Sequence, residues 1–336
     1  MLDQQIGEEQ IVCRRIRLHR LAIAASFVLI MLALPAPTAM ASDVIRVALP
    51  VAVDIPYAVI YAAEDLGYYA QKGIDVEITS YRGAGAAQEA MAAGAADIVN
   101  LVPSGAAVAV SKGLQEQIVA CGPQISPSGW YLLTLAKSPI QSVSDLDGKR
   151  VAVSSKNSTT DFYALWMANK YGIKIETVPL GGSEWPALRS GQVEAIIRSS
   201  GDAFRLLLDG EVRSILDFGA VMDPNIPECW VATKEIIRNK PAAVRAFVEA
   251  VGQAVQKMQN DKAYTLAYLR KYLDEKDDRL GEMGFERLIK QLTPDGDVDI
   301  EALRNSLRLT APAGLTNLPD AEELVADIAV RTAPNK

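Results

Sequence analysis

Short apolar runs alternate with longer stretches of helical spacing along most of this 336-residue chain. Val44–Leu49 alternates as a half-buried strand does, and Pro56 to Gly67 is apolar at helical spacing with Gly67 as its stop. The pairing repeats. Strands are predicted at 74–78, 97–101 and 117–121, with helices at 86–93 and 106–112 between them. Another strand is expected over 130–136. The alternation then resumes with strands at 151–153, 176–180 and 195–198 and helices at 159–171, 185–190 and 201–208. Cys229 to Thr233 reads as a returning strand, and everything beyond Pro241 as helical, chiefly 242–259 and 263–272. Strands alternating with helices of about 10–15 residues predict mainly parallel sheets flanked by helices.

The first 41 residues follow another logic. Arg14, Arg15, Arg17 and Arg20 precede an apolar run from Leu21 to Leu34, which Pro35 and Pro37 end. Ala39-Met40-Ala41 then supplies a small-residue cleavage pattern. A run of 14 residues makes about 21 Å of helix, short of a bilayer core, so a cleaved secretory signal is expected over 1–41 rather than an anchor. His19, the one histidine in the chain, lies in that segment. Without it the mature chain has no imidazole, which excludes Ser-His-Asp and Cys-His catalysis and His-ligated metals. No metal and no cofactor are expected. Binding is favoured over chemistry.

The segment holds four basic and three acidic side chains, so its removal takes the net charge from −7 to −8. That balance argues against nucleic acid and against anionic membranes. No later run of 18 apolar residues occurs, so a soluble periplasmic chain, monomeric, is expected. Its 295 residues approach the size at which one core gives way to two lobes. Cys121 and Cys229 remain after Cys13 departs; a disulfide and two buried free thiols are both open to them.

The segments "VIRVALP", "YAAEDLGYYAQKGIDVEI", "GAGAAQEAMAAGAADIV" and "SKGLQEQIVA", in that order, resemble the first lobe of nitrate/sulfonate/taurine-type solute-binding proteins of ABC importers. "SPIQSVSDLDGKRVAV", "ALRSGQVEAII" and "WVATKEIIRNKPAAVRAFVEA" are similar to the second lobe and to the returning strand and helix. The match covers about Val44 to Ala250. This resemblance implies a two-lobed periplasmic binding protein fold of type II, shared also with binders of thiamine-pyrimidine precursors. Residues 42–136 with 226–336 would form lobe one and 137–225 lobe two, the two crossovers serving as a hinge. Cys121 and Cys229 would each lie near one crossover. The partners implied are a small-molecule ligand and a membrane permease with a cytoplasmic ATPase.

In open parallel sheets ligands bind beyond the carboxyl ends of strands, where loops enter helices. Those loops are 51–57, 81–85 and 100–105 in lobe one, and 154–160, 181–185 and 198–201 in lobe two. Asp54, Tyr57, Tyr81, Arg82, Asn100 and Ser104 are the candidates from lobe one. Asn157, Ser158, Thr159, Thr160, Glu184, Trp185 and Arg198 are those from lobe two. Ser158 and Asp161 have the spacing of a capping box, and hydroxyls at a helix start suit an anion. Arg82 and Arg198, one per lobe, would clamp a carboxylate or sulfonate with forked donors. Tyr57, Tyr81 and Trp185 would stack on a planar part, and Glu184 would suit an amine or ring N–H. A small organic anion (a sulfonate, a taurine-like molecule or an aromatic carboxylate) is therefore the first expectation for the ligand; a binder of a pyrimidine-type thiamine precursor, or an enzyme on the same fold, is the alternative.

Three other signals carry less. Gly83-Ala84-Gly85 begins a dinucleotide fingerprint, but Gln88 stands at its third glycine. Asp295, Asp297 and Asp299 have the spacing of the first EF-hand ligands, yet Ile300 occupies the turn glycine's place and Ser306 the twelfth position. Asp299 reads better as the cap of a helix. Of the enzymes on this fold, the fungal pyrimidine synthase needs a histidine and a cysteine-rich motif that this chain lacks. The menaquinone-pathway enzymes are cytoplasmic, against the signal segment.

Overall fold

The computed structural model describes residues 42–121, 126–315, 317–329 and 331–332; the expected signal segment, with Cys13 and His19, lies outside them. Two five-stranded sheets share one strand pattern. The first contains β1 (Asp43–Leu49), β2 (Ile74–Ser80), β3 (Ile98–Leu101) and β4 (Glu116–Cys121). The second contains β5 (Tyr131–Leu135), β6 (Lys149–Val153), β7 (Ile175–Pro179), β8 (Ala195–Arg198) and β9 (Val212–Asp217). The returning strand β10 (Cys229–Thr233) joins the first sheet, giving the orders β2-β1-β3-β10-β4 and β7-β6-β8-β5-β9. In each sheet the strand that follows a crossover, β5 or β10, runs antiparallel to both its neighbours. Each sheet is thus mixed, with its other strand pairs parallel where β1 meets β2 and β3 and where β6 meets β7 and β8.

Central strands such as β3 (IVNL) and β8 (AIIR) are covered on both faces, which is why they read as short continuous apolar runs. Edge strand β2 alternates covered and exposed residues, β7 is half-buried to exposed throughout, and Pro179 ends β7 where no further ladder is needed. On the first sheet, Phe247 of the helix Pro241–Asn260 packs edge-on against Trp230 and stacks on Tyr69. On the second, Phe162, Tyr163 and Phe218 pack with Trp130 around the helix Thr159–Tyr171.

Three expectations change. The strand at 130–136 was assigned to lobe one, but Tyr131–Leu135 hydrogen-bonds between β8 and β9 and so belongs to the second sheet. The first crossover therefore lies before Trp130, not after Ala136. β9 was not expected; its pattern of buried and half-exposed residues gives a weak period. The region beyond Pro241 is not all helical, because Val298–Asp299 and Arg331–Thr332 pair as a short parallel ladder.

The C-terminal region reaches both sheets. The helix Ile300–Arg308 packs on Pro103–Ser111 of the first sheet's layer, while Leu309 and Leu315 join the core of the second. The helix Asp278–Arg287 lies against Ser200–Leu208, beside an Arg205–Glu275 ion pair. Cys121 and Cys229 stand opposite one another in the β4–β10 register as free, buried thiols, and the Cys229 thiol donates to the Leu101 carbonyl at 3.2 Å. Burial holds both thiols protonated, well above the ordinary thiol range.

Candidate functional site

The carboxyl ends of the parallel strands in both sheets open onto one cavity. It is lined from lobe one by Asp54, Tyr57, Asn100 and Glu228, and from lobe two by Trp130, Ser154, Ser158 to Thr160, Glu184, Arg198 and Ser199. The cavity is partly open and measures about 70 Å³, small against roughly 300–1,000 Å³ for sites that hold drug-sized ligands. A larger recess of about 350 Å³ lies on the flank of lobe one, between the helix Pro241–Asn260 and the turn at 294–296. Only lobe one lines it, away from the strand ends.

Asp54 ties the lobes together. It caps the 3-10 turn Ile55–Tyr57, accepting from its neighbour Ile55 N at 2.8 Å. Its Oδ1 also accepts from Gly201 N at 3.1 Å and from Ser200 Oγ at 3.2 Å, and the Ser199 hydroxyl donates to Oδ2. These donors stand at the start of the helix Ser200–Leu208, where unpaired N–H groups and the helix dipole favour a negative group. The approach is close: a Cβ on Gly201 would come 3.1 Å from Asp54 Oδ1. The carboxyl is buried, and that burial raises its pKa despite the serine and glycine donors.

Behind Asp54 the Tyr57 hydroxyl lies 2.9 Å from Asn100 Oδ1 and 3.3 Å from Glu228 Oε1. All three side chains are buried. Burial, and then the charge of Asp54, pushes the Glu228 carboxyl up to about 8, which the Tyr57 hydrogen bond only partly offsets.

On the opposite wall Glu184 begins the helix Glu184–Arg189 and accepts from Gly182 N at 3.2 Å. Arg198, the last residue of β8, is 3.3 Å from Glu184 Oε2 and 3.3 Å from Asp202 Oδ2. Its charge is thereby matched within lobe two. Next to it, Ser154 Oγ donates to Ser158 Oγ at 3.0 Å, and Ser158 Oγ and Thr160 Oγ1 lie 2.9 Å apart. Ser158 caps the helix by accepting from Asp161 N at 3.3 Å. Asp161 reciprocates one residue early, on Asn157 N at 3.0 Å, so the box is offset from its usual form. Asn157 takes φ 60°, which asparagine tolerates better than most residues.

Of the residues read from sequence, Asp54, Tyr57, Asn100, Ser158, Thr159, Thr160, Glu184 and Arg198 line the cavity. Five do not. Arg82 is exposed, outside the cavity lining, so the two-arginine clamp is not assembled in this conformation. Tyr81 packs against the lobe-one core and Trp185 is half-buried against apolar neighbours. Ser104 donates to the Ser306 carbonyl at 3.0 Å, and Asn157 faces a separate groove beside Gly105. Trp130 and Glu228 were missed. Each stands one residue before an antiparallel strand, β5 or β10, whose amino end shares the edge where the parallel strands finish. A search of carboxyl ends alone passes over them.

Comparison with known proteins places this geometry. The fold is similar to that of the alkanesulfonate-binding protein SsuA from Xanthomonas axonopodis pv. citri bound to MOPS. Identity is 19% over 87% of this chain and 100% of that one, with a TM-score of 0.72. It is also similar to the periplasmic aliphatic sulphonate binding protein SsuA from Escherichia coli, 16% identical over 84% and 97% of the two chains, TM-score 0.65. The desulfurization enzyme DSZB shares the architecture at 15% identity over 84% and 96%, TM-score 0.57. No curated protein matches by sequence. The sulfonate-binding neighbours bear out the two-lobed binding-protein fold implied by the sequence resemblance. The family model described as NMT1/THI5 like matches residues 55–263, more than half of the chain and strands of both sheets, so the chain belongs to the NMT1/THI5-like family.

Proposed function

We propose that this chain is the periplasmic solute-binding component of an ABC importer, exported by cleavage after residue 41. It captures one small organic molecule between its lobes and passes it, chemically unchanged, to a membrane permease driven by a cytoplasmic ATPase. One observation carries this reading: loops from both lobes meet on a single cavity, and Asp54 of lobe one bonds directly to the helix start of lobe two. A ligand touching both walls favours the closed form over the open one by its differential contacts, which is the thermodynamic requirement for capture. Nothing in that cycle needs a nucleophile, and the acyl-transfer and metal chemistries that depend on histidine have no imidazole after the signal is removed.

The ligand class shifts from the first expectation. An organic anion held by Arg82 and Arg198 needs two free guanidinium groups, whereas Arg82 lies outside and Arg198 is engaged by Glu184 and Asp202. Of the two helix starts on the lobe-two wall, that of Ser200–Leu208 already holds the Asp54 carboxyl, and at that of Thr159–Tyr171 the Ser154, Ser158 and Thr160 hydroxyls bond to one another. A molecule without net negative charge, of which the pyrimidine-type precursor is one example, fits these walls better. Trp130 lines the cavity, so its fluorescence reports occupancy. Titrating the secreted protein with organic anions and nitrogen heterocycles is expected to give a saturable one-to-one change with an uncharged or zwitterionic compound, which chromatography recovers intact. Conversion of that compound to a product would make the protein an enzyme and overturn the reading.

A further inference from the structure

Five residues of the cavity carry a buried polar atom that has no hydrogen-bond partner among the described residues: Glu228 Oε2, Asn100 Nδ2, Trp130 Nε1, Arg198 Nε and Glu184 Oε2, the last of which is ion-paired with Arg198 at 3.3 Å. Glu228, Asn100 and Trp130 are each more than nine-tenths buried. Leaving such groups unpaired forfeits their solvation without return, so native proteins keep few of them without a reason. Their distribution is uneven. On lobe one, Glu228 and Asn100 flank the Tyr57 hydroxyl and offer one acceptor beside one donor. On lobe two, Trp130 and Arg198 offer donors, and the acceptor there, Glu184 Oε2, is already answered by the Arg198 guanidinium. Trp130 and Arg198 are neighbours across the sheet, since Arg198 pairs in register with Tyr131, the residue after Trp130.

Resting on the binding reading above, we propose that Glu228 is the residue that sets ligand choice and orientation. The ligand is bipolar and carries no net negative charge. An N–H-bearing end meets Glu228 and Asn100 on lobe one, and an acceptor oxygen at the other end meets Trp130 and Arg198 on lobe two. A molecule with both ends satisfies both walls at once and so draws the lobes together, whereas one lacking the N–H end leaves Glu228 unpaired in a buried site. Pockets built around such polar groups reject analogues that lack the matching group far more strongly than apolar pockets do.

Isothermal titration with two matched series tests this. Cytosine carries both ends, 2-pyrimidinone lacks the amino group and 4-aminopyrimidine lacks the carbonyl oxygen. Taurine, ethanesulfonate and ethylamine repeat the comparison without a ring. In at least one series the two-ended member is expected to bind about 10- to 100-fold more tightly than either one-ended member. Glu228→Leu, which removes the acceptor at similar volume, is expected to erase most of that advantage while leaving the affinity for the amine-free member within about twofold; Trp130→Phe should weaken the two-ended and amine-free members together. Thermal melting establishes that both variants fold. Tightest binding by ethanesulfonate or 2-pyrimidinone, an unchanged two-ended affinity in Glu228→Leu, or no binding by any member would each overturn the proposal. Native mass spectrometry of the secreted protein separates the two failures: a retained small molecule alongside a failed panel sinks this ligand assignment and spares the binding reading.

Discussion

Glu228 shows how one position can matter for stability as well as for choice of ligand. Burial first, then the neighbouring Asp54 charge, raises its carboxyl to about 8, with Tyr57 and Tyr163 as the other titratable groups around it. Glu116, buried at the start of β4 beside Gln88, is raised to about 7 for the same first reason. The sign follows from linkage. The unfolded chain releases these protons near the ordinary carboxylate value, while the folded chain holds them until its higher pKa. The contribution to stability is full below about pH 4.5 and lost as pH rises toward 8, by at most about 1.4 kcal/mol per pH unit per group. Melting followed by circular dichroism is expected to give a higher Tm at pH 5 than at pH 8, and Glu228→Gln should flatten the slope. A Tm that climbs steadily between those pH values in both proteins would contradict the burial argument.

The elements of the fold were legible where periodicity is strong. β1, β3 and β8 carry unbroken or alternating apolar runs bounded by helix starts, and the helix Thr159–Tyr171 ends on Gly172 in the left-handed conformation, as the glycine stop predicts. β5 was also found, yet placed in the wrong lobe, because a strand's own pattern says nothing about which sheet it joins. The same gap hid Trp130 and Glu228: loop residues ahead of antiparallel strands carry no local signature of sharing an edge with parallel ones. The helix Pro241–Asn260 was read as amphipathic, but its close approach to the turn at 294–296 was not readable. A Cβ on Gly252 would stand 1.8 Å from the Pro294 carbonyl oxygen, a backbone atom that cannot swing aside. Gly252→Ala is expected to cost about 3 kcal/mol and lower Tm by about 5–10 °C despite alanine's better helix propensity. An unchanged or raised Tm would show that helix and turn separate freely.

Across the whole molecule, two sheets of like order are joined by two crossovers and by C-terminal helices that touch both. Opening the cleft must release Asp54 from Ser199, Ser200 and Gly201, and must part the helix Asp278–Arg287 from Ser200–Leu208 or carry it along. Arg287, whose guanidinium lies 3.3 Å from the Tyr131 hydroxyl, bridges the same seam. The candidate site was legible in outline, since eight of the thirteen residues expected from loops do line the cavity. Its electrostatics were not. Which arginine faces inward depends on side-chain direction, and Arg198 is answered by Glu184 and Asp202 only once the chain has folded.

Native mass spectrometry of the protein expressed from the full sequence, secreted to the periplasm and purified without denaturation, tests the capture of one molecule per protein most directly. The account predicts a single small-molecule adduct at one-to-one stoichiometry on the wild-type protein, released chemically intact by mild unfolding and strongly reduced in Trp130→Ala. A protein that stays bare in periplasmic extract, or that returns its adduct as a transformed product, would contradict it.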